Sequence, residues 1–143
     1  MLVSVATTDI ELVRAAFEAW NRGSIDAFTA HMSDDVAWVE ASGRPEGAPT
    51  ERLGRERLRS SLASLFDAFE SYRLEVEQIG QLGDRVVAIV REIARGRSSG
   101  VEVDGKWGYL ITVNDGRITR IEAHRDAAVV LEMADGGDPL PGD

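Results

Sequence analysis

The sequence predicts an α+β domain, with helices packed on one face of a mostly antiparallel sheet. Three observations point there. Apolar residues recur at helical spacing up to about Tyr72, runs rich in Val and Ile follow as far as Arg125, and Asn114-Asp115-Gly116 is a strong hairpin signal between the last two of those runs. A length of 143 residues suits one domain, placed here at 1–134.

Each element has its own signal. Thr8-Asp9-Ile10-Glu11 reads as a capping box, and Ile10, Val13, Phe17 and Trp20 follow on one helical face. Gly23 offers a stop, and Ser24 caps a short second helix carrying Ile25, Phe28 and Met32. Ser33-Asp34-Asp35 reads as a turn, and Val36 to Glu40 as a short strand. The segment 41–53, rich in Gly, Pro and charge, reads as a loop able to serve as a lid. A third helix begins near Gly54, with Leu58, Leu62, Leu65, Phe66 and Phe69 as its apolar stripe. Strands are expected at 73–82, 85–95, 101–113 and 117–125, the third with a break at Asp104-Gly105. Asp126 is placed to cap a short closing helix with Val129, Val130 and Leu131. The tail 135–143 holds three Gly, two Pro and three Asp, a composition expected to be disordered.

Composition narrows the function. A net charge of −9 argues against nucleic acid and against anionic membrane surfaces. The absence of cysteine excludes disulfides, thiolate catalysis and Cys-ligated zinc. No stretch has the length and apolarity of a membrane span, and Met1 to Thr8 lacks the pattern of a signal peptide, so a cytoplasmic location is expected. His31 and His124 lie far apart with no metal-binding spacing, so neither metal nor cofactor is expected. Gly96 to Gly100 has hydrolase-elbow spacing but is flanked by strands. Gly100 to Lys106 approaches a phosphate loop but ends on Trp107, without the hydroxyl.

Four phrases, taken in order, carry a resemblance. They are Trp20-Asn21-Arg22-Gly23-Ser24-Ile25-Asp26-Ala27-Phe28, Met32-Ser33-Asp34-Asp35-Val36, Leu53-Gly54-Arg55-Glu56-Arg57-Leu58, and Asp115-Gly116-Arg117-Ile118 followed by His124-Arg125-Asp126. Over about residues 9 to 134 the chain resembles the SnoaL-like and ketosteroid-isomerase-like group of the nuclear transport factor 2-like superfamily. The resemblance implies a cone in which three helices close a strongly bent sheet over a pocket, and often a dimer through the outer sheet face. That group hosts isomerases, cyclases, hydrolases and non-enzymes, so the fold leaves the activity open.

The resemblance puts Glu40 where such isomerases carry a general base, and it shares a strand face with Trp38. Tyr109 falls at an oxyanion-donor position, on the face that also carries Trp107. The isomerases' other donor aligns with Ala16, and the acid of the cyclases and epoxide hydrolases aligns with Ala123. Both departures count against those particular reactions. Ile121, Ala123 and Arg125 form the face of the last strand expected to line the pocket, and Arg125 is placed to pair with Glu40 or with an anionic substrate group. His124 belongs to the opposite face, at a dimer contact, and is a base only if that facing is reversed. Glu92 faces the pocket as a second acid in one of two strand registers. Trp20, Trp38 and Trp107 suit the wall of a site for a ring-shaped ligand. The expectation is a small-molecule enzyme moving protons by general acid/base catalysis on a mostly apolar ring compound, of isomerase, cyclase or dehydratase type. The alternatives are a non-catalytic domain binding a small apolar ligand and an association module working as a homodimer.

Overall fold

In a computed structural model, residues 8–40, 50–126, 128 and 130 are described, without the side chains of 50–53. Helix α1 (Asp9–Asn21) starts at the capping box: Thr8 Oγ1 accepts from the Glu11 N–H at 3.1 Å, and Glu11 Oε1 accepts from the Thr8 N–H at 3.2 Å. Val13, Phe17 and Trp20 are buried on its inner face. The chain leaves α1 through Gly23 at φ +73°, a left-handed position that disfavours any side chain. Ser24 Oγ then accepts from the Ala27 N–H and opens α2 (Ile25–Thr29).

Strand β1 (Met32–Glu40) begins earlier than its sequence suggests. Ser33-Asp34-Asp35 is not a turn but part of β1, in the stretch where its register against the neighbouring strand shifts between Met32 and Ala37. An irregular stretch with Asp34 and Asp35 exposed tolerates polar residues that a regular buried strand would not. The proposed lid falls mostly on 41–49, outside the described residues. Its end, Thr50–Leu53, is strand β2, antiparallel to β1, rather than loop.

Helix α3 (Arg55–Ala68) buries Leu58 and Leu62. Phe69 opens β3 (Phe69–Leu82) instead of closing the helix, and so β3 starts four residues before the expected strand. Strand β4 spans Arg85–Gly96 and β5 spans Glu102–Asn114. No break occurs at Asp104-Gly105: both residues pair with β4, and Arg91 grips the Asp104 carboxylate through Nε at 2.9 Å and Nη2 at 2.6 Å. A cross-strand partner thus overrides a local turn signal. Asp115 and Gly116, at φ +53° and +74°, make the tight hairpin into β6 (Arg117–His124). The strand ends one residue before Arg125.

The six strands lie in the order β2-β1-β6-β5-β4-β3, with β1 and β6 parallel and every other pair antiparallel. This is an α+β architecture with an open, cone-like sheet. Helix α1 packs on β3 and β4, and α3 on β1 and β3. The main core lies between helices and sheet, around Val13, Met32, Leu58, Val86 and Ile118. A smaller cluster on the outer face joins Val87, Ile89 and Leu110 to Val130, which is helical and fully buried. Val129, Leu131 and the tail 135–143 lie outside the described residues. No described helix is long and apolar enough to cross a membrane.

Candidate functional site

Strand alternation sends Trp38 and Glu40 to the inner face of β1. Pairing then sets them in rows across the sheet. Glu40 on β1 is opposite Ala123 on β6, and Ala123 is opposite Tyr109 on β5. Glu40 and Tyr109 are therefore two strand spacings apart, roughly 10 Å between backbones. Only a methyl group stands between them. The small Ala123 leaves a hollow there, with a volume of about 160 Å³.

Trp20, Trp38 and Trp107 form part of the cavity wall, and Leu58, Leu62 and Leu65 of α3 cover it. Trp20 and Trp38 stack at 6.5 Å, and Trp107 and Tyr109 at 6.4 Å, between ring centroids. Tyr109 is 5% exposed. Burial, then the nearby carboxylates of Glu92 and Glu40, push its phenol well above the usual range, so it stays a neutral donor. Among the described residues, none hydrogen-bonds its hydroxyl.

A second acid enters from β4. Val90 and Glu92 face inward, and Glu92 lines the same cavity at 6% exposure. Its two oxygens have different partners. Trp107 Nε1 donates to Oε1 at 3.0 Å, and the Tyr72 hydroxyl donates to Oε2. Both partners are diagonal neighbours across the sheet: Trp107 pairs with Val90, and Tyr72 with Ala94. Burial, with the hydrogen bond to Glu92 and its charge, also pushes the Tyr72 phenol far up.

The remaining candidates lie elsewhere. Ile121 lines a smaller, apolar void of about 10 Å³ behind Trp20, Trp38 and Tyr109, together with Ala16. Arg125 is exposed, outside the cavity lining, with its guanidinium 4.8 Å from the Trp107 ring centroid. His124 faces away from Ala123, and its Nε2 is 3.5 Å from a Glu122 oxygen. That separation is long for a hydrogen bond. Tyr72 and Ser61 line the cavity and were not singled out from the sequence. The alternation of Tyr72, Leu74 and Val76 was the available signal for Tyr72. Among the described residues, no group of three or more His, Asp or Glu is placed to hold a metal ion.

Solved structures share this architecture. TerC, co-crystallised with polyporic acid, is 24% identical, with a TM-score of 0.70 over 88% of this chain and 97% of TerC. A putative polyketide cyclase of Pseudomonas putida is 21% identical, with a TM-score of 0.69 over 86% of this chain and 95% of the other. A Mycobacterium tuberculosis epoxide hydrolase of the LEH-like kind is 19% identical, with a TM-score of 0.70 over 90% and 85%. At these identities the likeness concerns the fold. No curated protein matches the chain in sequence. The sequence profile of the SnoaL-like domain matches residues 13–121, most of the chain, and the protein belongs to that family, with the nuclear transport factor 2-like fold.

Proposed function

We propose that this protein is an enzyme that moves a proton within a small ring compound, with Glu40 as general base and Tyr109 as the donor to the oxygen that becomes negative. The observation that carries this reading is the row Glu40–Ala123–Tyr109, which sets a carboxylate and a neutral phenol on either side of an empty place. A carbonyl compound held there would offer its acidic C–H to Glu40 and its oxygen to Tyr109. Glu40 takes the proton from carbon, the electron pair moves onto the carbonyl oxygen, and the Tyr109 O–H stabilises the enolate. Where the enolate is conjugated with a carbon–carbon double bond, return of the proton from Glu40 to the far carbon completes an isomerisation. Where the β-carbon carries a hydroxyl, that group leaves with the Glu40 proton as water and the enolate collapses to the unsaturated carbonyl compound, a dehydration.

The size of the hollow supports a substrate of about one ring: a cavity of roughly 150 Å³ accepts benzene. The likeness to a putative polyketide cyclase and to an epoxide hydrolase supports small-molecule chemistry as the class. Ala16 and Ala123 favour a second reading, a binding domain without turnover, because the family resemblance implies an oxyanion donor at the first position in isomerases and an acid at the second in cyclases, and this chain carries methyls at both.

The test is hydrogen exchange. Single-ring ketones are incubated with the protein in heavy water, and deuterium entering the carbon beside the carbonyl is followed by NMR. The proposal expects enzyme-dependent exchange that falls at least about 100-fold in Glu40→Gln. Binding of a ketone with no exchange above background would leave the binding-domain reading in its place. Equal exchange in wild type and Glu40→Gln would refute the role of Glu40. The proposal extends to a homodimer through the outer sheet face, which sedimentation velocity tests. A monomer across the working concentration range would remove it.

A further inference from the structure

The chemistry of the cavity wall selects a charge as well as a size. Glu92 is buried, and both of its carboxylate oxygens accept hydrogen bonds. Its donors, the Tyr72 hydroxyl and the Trp107 indole N–H, are neutral. Among the described residues no cationic side chain pairs with it. The cavity lining contains no Lys, Arg or His among those residues. A buried carboxylate without a counter-charge is expensive to maintain, and a bound cation relieves that cost.

The surroundings suit a cation bearing carbon rather than a bare metal ion. Trp20, Trp38, Trp107, Tyr72 and Tyr109 line the same hollow, and aromatic faces attract organic cations. Trp107 already holds one cation over its ring, the Arg125 guanidinium at 4.8 Å. Glu92 stands opposite Gly105 on β5, four residues along the strand from Tyr109. Gly105 contributes no side chain beside it, and a Cβ there would meet nothing within 4 Å. The backbone of Glu92 thus lies roughly 13 Å along the sheet from that of Tyr109, with Trp107 in between, while its carboxylate lines the same hollow as Glu40 and Tyr109.

The geometry points to a substrate that carries a protonated nitrogen, seated against Glu92 and the tryptophan rings, on the ring compound whose other end lies between Glu40 and Tyr109. This inference rests on the cavity being the ligand site, as proposed above, but not on proton transfer by Glu40.

The experiment compares benzylammonium with ethylbenzene, its neutral counterpart of nearly the same shape, by tryptophan fluorescence and calorimetry on the whole chain. The inference expects benzylammonium to bind about 10- to 100-fold more tightly. It also expects Glu92→Gln to remove most of that preference, bringing the ratio of the two affinities close to one. Equal affinities in the wild type, tighter binding of ethylbenzene, or binding of neither compound would overturn it. The wild-type comparison stands by itself if Glu92→Gln fails to fold. Deuterium exchange of a neutral ketone together with equal probe affinities would sink the ammonium inference and leave the catalytic reading standing. Ammonium preference without exchange would do the reverse.

Discussion

Replacing Glu122 with glutamine should remove an acid-sensitive part of this protein's stability. Glu122 lies on the outer sheet face between two partners on its own strand. His124 Nε2 is 3.5 Å from one oxygen, and Arg120 Nε donates to the other at 3.0 Å. His124, at ion-pair distance rather than in a close hydrogen bond, and then the Arg120 hydrogen bond hold the carboxyl at about 2 rather than the ordinary 4.5, against the opposing effect of burial. Taken at face value such a depression is worth ~3 kcal/mol. The side chains of Glu122 and Arg120 are 24% and 43% exposed, and solvent screening reduces the figure to about 1–2 kcal/mol. The sign follows from the direction: the unfolded chain takes up the proton more readily. The stabilisation is therefore complete above pH 4.5 and is lost as pH falls toward 2. Urea unfolding of wild type and Glu122→Gln at about pH 7 and about pH 2.5 measures this. The variant should be less stable by about 1–2 kcal/mol at the higher pH and nearly equal at the lower. A difference of the same size at both would refute the reasoning.

Other expectations follow from the same geometry. Ala123→Leu puts three more carbons between Glu40 and Tyr109. Burial of roughly 0.8 kcal/mol per carbon offsets an overpacking cost of about 1–3 kcal/mol, so ligand binding should vanish while thermal stability changes little. A large loss of both would mean that the hollow is not where the row of residues puts it. Tyr109→Phe keeps the ring packing but removes the donor, and proton exchange should fall about 10- to 1000-fold with little change in ligand affinity. Unchanged exchange would take Tyr109 out of the chemistry. Leu110→Ala opens a gap beneath Val130 on the outer face and should cost about 2–5 kcal/mol in urea unfolding. A cost below about 1 kcal/mol would show that this outer cluster is loosely packed.

The parts of the fold set by local chemistry were legible from sequence. The Thr8–Glu11 capping box, the Ser24 cap and the Asp115-Gly116 hairpin each work within a few residues, and each sits where it was read. The parts set by partners distant in sequence were not. Ser33-Asp34-Asp35 carries turn chemistry, yet pairing and a register shift draw it into β1. Asp104-Gly105 also looks like a turn, and the Arg91 fork on Asp104 holds it flat. Thr50–Leu53 is too short for a periodic signal and becomes a strand only beside β1. The site divides in the same way. Alternation sufficed to put Trp38 with Glu40, and Trp107 with Tyr109. Glu92 had two possible facings, and only the pairing of β4 with its neighbours sets one. Tyr72 was hidden because the apolar stripe of α3 ran on into Phe69, masking the start of β3.

The most direct measurement on the central claim follows the three indole N–H signals in a ¹⁵N–¹H spectrum. A single-ring ketone is titrated into the protein, and the backbone amides of Glu122 and Leu110 on the outer face serve as internal references. The account predicts saturable shifts of the Trp20, Trp38 and Trp107 indoles with those amides unmoved. Shifts confined to the outer face, or still indoles at ligand concentrations where proton exchange proceeds, would contradict it.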